Sequence, residues 1–245
     1  MVKILFLGVG GWISNPLLGY TSFAVINSKG NWILVEAGEG AYQNIVKCGL
    51  KINDNLKGIV ISHRHGDHIL GLPTILQIAK HLGIKEVTII GIDDVIEAVS
   101  ELITASASQN TANIVKAIRL DFGEKIKIDD FEIEFLESVH TIPAASIKII
   151  ANGKCIVYSG DTSYNPRLAD FARKCDVLIH EVSSYSEEAH KYGHSTYKDA
   201  FEIALKSNVK TLVLTHFYQW PQPIKTPIEG SMEILVPHPC QILEI

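Results

Sequence analysis

The sequence holds four cysteines in 245 residues, Cys48, Cys155, Cys175 and Cys240, and no two of them form a C-x-x-C pair. That scatter argues against a cysteine-zinc site and predicts no disulfide framework. Cys155, inside an apolar run, reads as a small core residue. No apolar run reaches the ~18 residues of a membrane span. The start, MVKILFLGVGGW, lacks a signal peptide's long apolar stretch and small-residue cleavage site. A cytoplasmic protein with no membrane partner is the expectation. Positive charge is also short: 22 Lys and Arg against 27 Asp and Glu leave a formal charge of −5, without the net basic field of a protein that grips nucleic acid broadly. No low-complexity tract or charge block marks a linker, so residues 1–245 are expected to form one domain.

Hydrophobic residues make up 47% and charged residues 20%, the proportions of a soluble globular chain long enough for a sizeable core. Short apolar runs predict strands at 3–7, 22–27, 32–36, 58–62, 86–90, 125–128, 131–137, 146–150, 154–159, 176–180 and 211–215. Helical spacing predicts helices at 41–48, 73–82, 93–104, 166–173 and 196–206, the last with Thr196 as N-cap and Asp199 three residues on. Strands such as GIVIS and TLVLT are apolar throughout, which is how a strand reads when both sheet faces are covered. Strands followed by strand–helix units, twice over, suggest an α/β sandwich with two central sheets and helices outside.

His63, His65, Asp67 and His68 crowd into HRHGDH, directly after GIVIS. Further on, FEIEFLESV runs into His140, CIVYSG into Asp161 and TLVLT into His216. Each candidate lies past the carboxyl end of an apolar strand, where α/β sheets place their binding crevices. Imidazoles and carboxylates without thiolates suit zinc, manganese or iron. In an extended segment His63 and His65 project to one side, whereas His68 is offset. Seven such residues exceed one tetrahedral zinc, and two divalent ions are the economical reading. The isolated His81, His180, His190 and His238 read as surface or structural histidines, and the acidic pairs Asp93-Asp94 and Glu187-Glu188 as ordinary helix-start residues. Tyr218 and Trp220, in FYQWPQPI after His216, suit either an apolar wall for an aromatic or nucleotide base or the packing of a proline loop.

These residues resemble a known superfamily. HRHGDH is similar to the H-x-H-x-D-H signature of the metallo-β-lactamase fold, an αββα sandwich. FLGVGGW, ILVEAGEGAYQNIVKCGL, SVHTIPAASIKI, YSGDT, DVLIHE, HST and LVLTHF resemble ribonuclease Z in order and wording, over nearly the whole chain. That branch also includes phosphodiesterases and arylsulfatase-like enzymes. The resemblance implies one ion on His63, His65 and His140, a second on Asp67, His68 and His216, and Asp161 bridging them with a hydroxide. It also implies that Asp67 orients or deprotonates that nucleophile. His194 in GHST would be the general acid, held by Glu181. Family analogy leaves room for a homodimer.

Two departures stand out. Glu36 occupies a position where the family usually has aspartate, a support for the ligands. The basic arm with which ribonucleases Z hold transfer RNA has no space, because His140 and Asp161 lie 21 positions apart and SIKIIANGKCIVYSG between them reads as a hairpin turning at Asn152-Gly153. With the acidic charge, this argues against precursor transfer RNA and for a small phosphodiester or nucleotide substrate. A sulfate ester is the alternative, followed by transfer-RNA 3′ processing and by a metal-stabilised binding subunit without catalysis.

Overall fold

The computed structural model describes residues 1–13, 15–218, 221 and 232–245. Its first sheet opens with three antiparallel strands, β1 (Lys3–Gly8), β2 (Ser22–Ile26) and β3 (Trp32–Val35). Helix α1 (Ala41–Lys47) then leads to β4 (Leu56–Val60), parallel to β3. A short α2 (Gly66–Ile69) and α3 (Leu72–His81) cross to β5 (Val87–Gly91), and α4 (Asp93–Ala105) crosses to β6 (Val115–Arg119).

The second sheet repeats the plan. An antiparallel set, β7 (Lys125–Ile128), β8 (Phe131–Glu137), β9 (Ala145–Ala151) and β10 (Lys154–Tyr158), gives way to parallel strands β11 (Val177–Glu181) and β12 (Thr211–Thr215). Helices α5 (Arg167–Phe171) and α6 (Tyr197–Ser207) make the crossovers. Two short segments, β13 (Glu233–Leu235) and β14 (Ile242–Glu244), close one edge of each sheet, so the orders are β14-β1-β2-β3-β4-β5-β6 and β13-β12-β11-β10-β9-β8-β7. The sheets pack face to face with helices outside, the αββα sandwich that the apolar strands imply. Phe23 of β2 meets Tyr158 of β10 edge-on at 5.4 Å in that interior.

Local signals explain much of this. The Thr196 side chain accepts from the Asp199 N–H while the Asp199 carboxylate accepts from the Thr196 N–H at 2.7 Å, a capping box. Asn152 and Gly153 both take positive φ, 47° and 76°, as a two-residue hairpin turn requires, and β9 and β10 leave no arm between them. Three strands escape the sequence pattern: β6, β13 and β14 are short and half-exposed or exposed, so they carry neither a full apolar run nor a clean alternation.

The cysteines overturn an expectation. Cys48 pairs with Cys240 across 192 positions, and Cys155 with Cys175 across 20. Cys155 is therefore a half-buried cross-link between the start of β10 and the entry to β11, not a core thiol. Pairing is decided by which Cα atoms the fold brings close, here 4.9 and 4.7 Å, and spacing along the chain does not report it. Among the described residues no helix is long and apolar enough to cross a membrane.

Candidate metal centre

The candidate residues sit at one end of the sheets, just where strands stop. After β4, Ile61 and Ser62 carry the chain to His63, and His65 takes the extended N-cap position of α2. Asp67 and His68 thus lie on a helical turn, which swings them away from the pair His63 and His65. His140 follows β8, Asp161 follows β10, Glu181 ends β11 and His216 follows β12. Glu36, just past β3, and His216 both take left-handed backbone, φ 61° each. That region is uncommon outside glycine and costs of order 1–3 kcal/mol. Here it turns both side chains inward at the rim.

Two clusters that share Asp161 result, each with ligand atoms within 4.8 Å of one another, and Glu181, His194 and His216 form a third group of that kind. In the first, His65 Nδ1 lies 3.1 Å from both His63 Nε2 and His140 Nε2, and Asp161 Oδ2 lies 3.6 Å from His63 Nε2. In the second, His68 Nε2 lies 3.4 Å from Asp67 Oδ2 and from Asp161 Oδ2, while His216 Nε2 lies 3.3 Å from Asp67 Oδ2 and from Asp161 Oδ1. Asp161 belongs to both. Tetrahedral ligands about 2.0–2.1 Å from zinc stand about 3.3 Å apart, so these separations fit ions. His68 Nε2 and Asp161 Oδ1 are also buried without a hydrogen-bond partner, a costly arrangement unless a cation completes it.

His63, His140 and His216 are each held by a hydrogen bond at the nitrogen turned away from the clusters, as ligating histidines usually are. His140 Nδ1–H donates to the Gly193 carbonyl at 2.8 Å. Gly193 must be glycine, since its φ is 76° and a Cβ there would lie 2.7 Å from His140 Nδ1. His63 Nδ1 meets Ser62 Oγ at 2.9 Å, and His68 Nδ1 lies 3.3 Å from Glu36 Oε2. Glu36 is buried and also accepts from the Ser62 N–H at 3.1 Å, so the longer side chain is accommodated as a support. Arg64, between two candidate ligands, pairs with Asp94 at 3.0 Å and with Glu101, tying the loop to α4. Asp94 is thus a tether as well as a helix-start acid.

The electrostatics agree. Burial, reinforced by the neighbouring imidazoles, pushes His63, His65 and His140 below the usual histidine range, so their lone pairs are available at neutral pH. Burial acts against charge on His68 too, but Asp161, Asp67 and Glu36 outweigh it and raise its pKa. A site that holds a buried proton among three carboxylates is one that a dication suits. Asp67 and Asp161 stay ionised despite burial because the surrounding histidines hold them well below the carboxylate range.

Beside the second cluster lies a fully connected acid group. Glu181 Oε1 accepts from the Thr162 N–H at 2.8 Å and from His194 Nδ1 at 3.0 Å, and Oε2 accepts the Ser183 hydroxyl at 2.6 Å. A hydroxyl has one proton, so Ser183 Oγ can only accept from His216 Nδ1, 2.9 Å away. That leaves His216 Nε2 bare toward Asp67 and Asp161. Burial alone would lower the His194 pKa, but the Glu181 charge and hydrogen bond raise it to about 9. Its Nδ1 committed, His194 presents Nε2 to a cavity of about 680 Å³ that Asp67, Asp161, His65, Trp12, Ser183 and Tyr218 also line.

All nine sequence-predicted site residues therefore meet at one rim. Ser183, Ser62, Gly193, Arg64 and Trp12 were not anticipated. Their contacts are made by residues distant in sequence, or by side-chain types too common to carry a signal. Tyr218 does reach the cavity; Trp220 lies outside the described residues. His180 and His190 are structural, donating to the Glu181 carbonyl and pairing with Asp199, both at 2.8 Å.

Comparison with known proteins agrees. A family model described as a beta-lactamase superfamily domain matches residues 31–217. Ribonuclease Z of Picrophilus torridus is 31% identical, covering 88% of this chain and 85% of its own length, and that of Sulfolobus acidocaldarius is 29% identical, covering 91% of each. The alignment with the first runs over 267 positions although 88% of this chain is about 216 residues, so that relative holds about 50 residues with no counterpart here. The metallo-beta-lactamase fold protein YhfI from Bacillus subtilis superposes over both full chains with TM-score 0.84 at 21% identity. Human tRNase Z, short form, superposes over 99% of each with TM-score 0.81 at 24%. The chain belongs to the metallo-β-lactamase superfamily, in its ribonuclease Z-like branch, and is a metal-dependent hydrolase.

Proposed function

We propose that the protein hydrolyses phosphodiesters, small ones or nucleotides in preference to structured RNA, with two divalent ions, zinc first. His63, His65 and His140 would hold one ion, Asp67, His68 and His216 the other, with Asp161 between them. The sharing of Asp161 by both clusters is the observation that carries the reading. Bound there, such ions lower the pKa of water toward neutrality and stabilise negative charge on a phosphoryl oxygen. Asp67, 7% exposed at its side chain, orients the attacking water or accepts its proton. As the bond from phosphorus to the leaving oxygen breaks, His194 Nε2 gives that oxygen its proton, and Glu181 stabilises the charged imidazole.

The short β9–β10 hairpin and the charge of −5 support a small substrate. A second reading, transfer-RNA 3′ processing, is favoured by relatives named ribonuclease Z at 31% identity over 88% of this chain.

The test is turnover of bis(p-nitrophenyl) phosphate by protein reconstituted separately with zinc and manganese. p-Nitrophenyl sulfate and a 3′-extended transfer-RNA precursor are run in parallel, with Asp67→Ala as control. Metal-dependent cleavage of the phosphodiester that the control loses supports the proposal. Cleavage of the precursor at far lower concentration would move the substrate to RNA, and sulfate turnover alone would move it to sulfur.

A further inference from the structure

The segment after β1 runs beside the segment after β12. Gly11 N–H donates to the Phe217 carbonyl at 3.0 Å, and Phe217 N–H donates to the Val9 carbonyl at 3.1 Å. Phe217 is next to His216, so this pairing holds residues 9–11 directly against a candidate ligand. A Cβ on Gly11 would lie 3.1 Å from the His216 ring, which is why the strand extension can approach so closely. One residue further on, each segment carries an aromatic ring. Trp12 and Tyr218 stack with centroids 6.3 Å apart and planes 22° from parallel.

These rings are not core. Trp12 is 59% and Tyr218 40% exposed, whereas Trp32, Phe6 and Phe23 are all buried. Both rings line the same cavity as His65, Asp67, Asp161 and His194. A large flat apolar surface left open at a hydrolytic mouth marks a binding surface, and its chemistry selects a planar ring. Because the platform hangs from the backbone that carries His216, its distance from the centre is set by one residue of chain on either side.

We propose that Trp12 and Tyr218 form a stacking platform for the base of a nucleoside whose ribose carries the scissile phosphate, which makes nucleoside phosphodiesters the substrate class. This deepens the phosphodiesterase reading and rests on it for the site, yet its test does not depend on turnover. The probes are adenosine 5′-monophosphate and ribose 5-phosphate, in which a hydroxyl stands in place of the base, titrated calorimetrically into the metal-loaded protein. The nucleotide binds about tenfold or more tightly, the worth of one base stacked on an aromatic ring. Trp12→Ala and Tyr218→Ala shrink that ratio toward one, and Trp12→Phe keeps most of it. Equal affinities in the wild type, or a ratio that survives both alanine variants, would overturn the platform. So would a Trp12→Ala protein that keeps the ratio but changes its sedimentation, since the rings would then serve contact between copies. A clear nucleotide preference without turnover of any phosphodiester would uphold the platform and sink the phosphodiesterase reading instead.

Discussion

Replacing Glu181 by glutamine isolates the proton that leaves with the product. The amide keeps a hydrogen bond to His194 Nδ1, 3.0 Å away, but deletes the charge that lifts that imidazole. His194 stands at about 9 against an ordinary 6.5, and burial alone would put it lower still. Its raised pKa means that the acid form is present below the folded value and lost above it, so the alkaline limb of kcat moves acid-ward in the variant. Asp161 and Asp67 add to the same rise and are offset by bound cations in both proteins, so the interval down to 6.5 is the upper bound on the shift. If the limb falls by the full interval, one pH unit below the wild-type limb the protonated fraction drops from about nine-tenths to about 3%, a loss of about 30-fold in kcat. The assay compares pH profiles on two esters, one losing an alkoxide and one losing p-nitrophenolate. Only the alkoxide needs the proton, so only that profile should move. Equal slowing of both esters, or an unmoved limb, would refute the assignment of His194 as the acid and leave Glu181 a structural anchor.

Ser183→Ala removes the acceptor that aims His216 and should weaken metal binding at the second cluster by about 10–100-fold, read by competition with a chelator; Ser183→Thr should restore it. Because burial holds His63, His65 and His140 below the usual histidine range, protons compete poorly for the first cluster. Of the metal measured after dialysis at falling pH, one equivalent per chain should therefore hold below pH 6; loss of that last equivalent near 6.5 would contradict the burial. Chain-entropy arithmetic makes the Cys48–Cys240 cross-link, closing 192 positions, worth about 5 kcal/mol and Cys155–Cys175, closing 20, about 3 kcal/mol. Urea denaturation of Cys240→Ser and Cys175→Ser should show the first variant less stable by roughly 2 kcal/mol. The reverse order would mean that strain or residual denatured structure, not loop length, dominates.

Much of the architecture was legible because its causes are local. The apolar runs at 58–62, 177–179 and 212–214 read as strands covered on both faces, and all of these residues are buried. The capping box at Thr196 and the turn at Asn152-Gly153 work through neighbours a few residues away. The candidate metal cluster was legible for another reason: histidines and aspartates past strand ends have few structural uses, and HRHGDH concentrates four of them. The short edge strands β6, β13 and β14 were not, since an edge strand is half solvated and its sequence is free to look like a loop.

What the sequence determined by itself is thus the chemistry: imidazoles and carboxylates without thiolates, delivered by apolar strands, with no length for an arm between His140 and Asp161. Tertiary structure alone decided how those groups are aimed. The pairing of Cys48 with Cys240, the acceptance of His216 Nδ1 by Ser183 at 2.9 Å, the Gly193 carbonyl under His140 and the stacking of Trp12 on Tyr218 each join residues far apart in the chain. Hydrogen-bond direction and ring stacking depend on distances of tenths of an ångström between such segments, and a linear pattern carries residue identity and period but no distance.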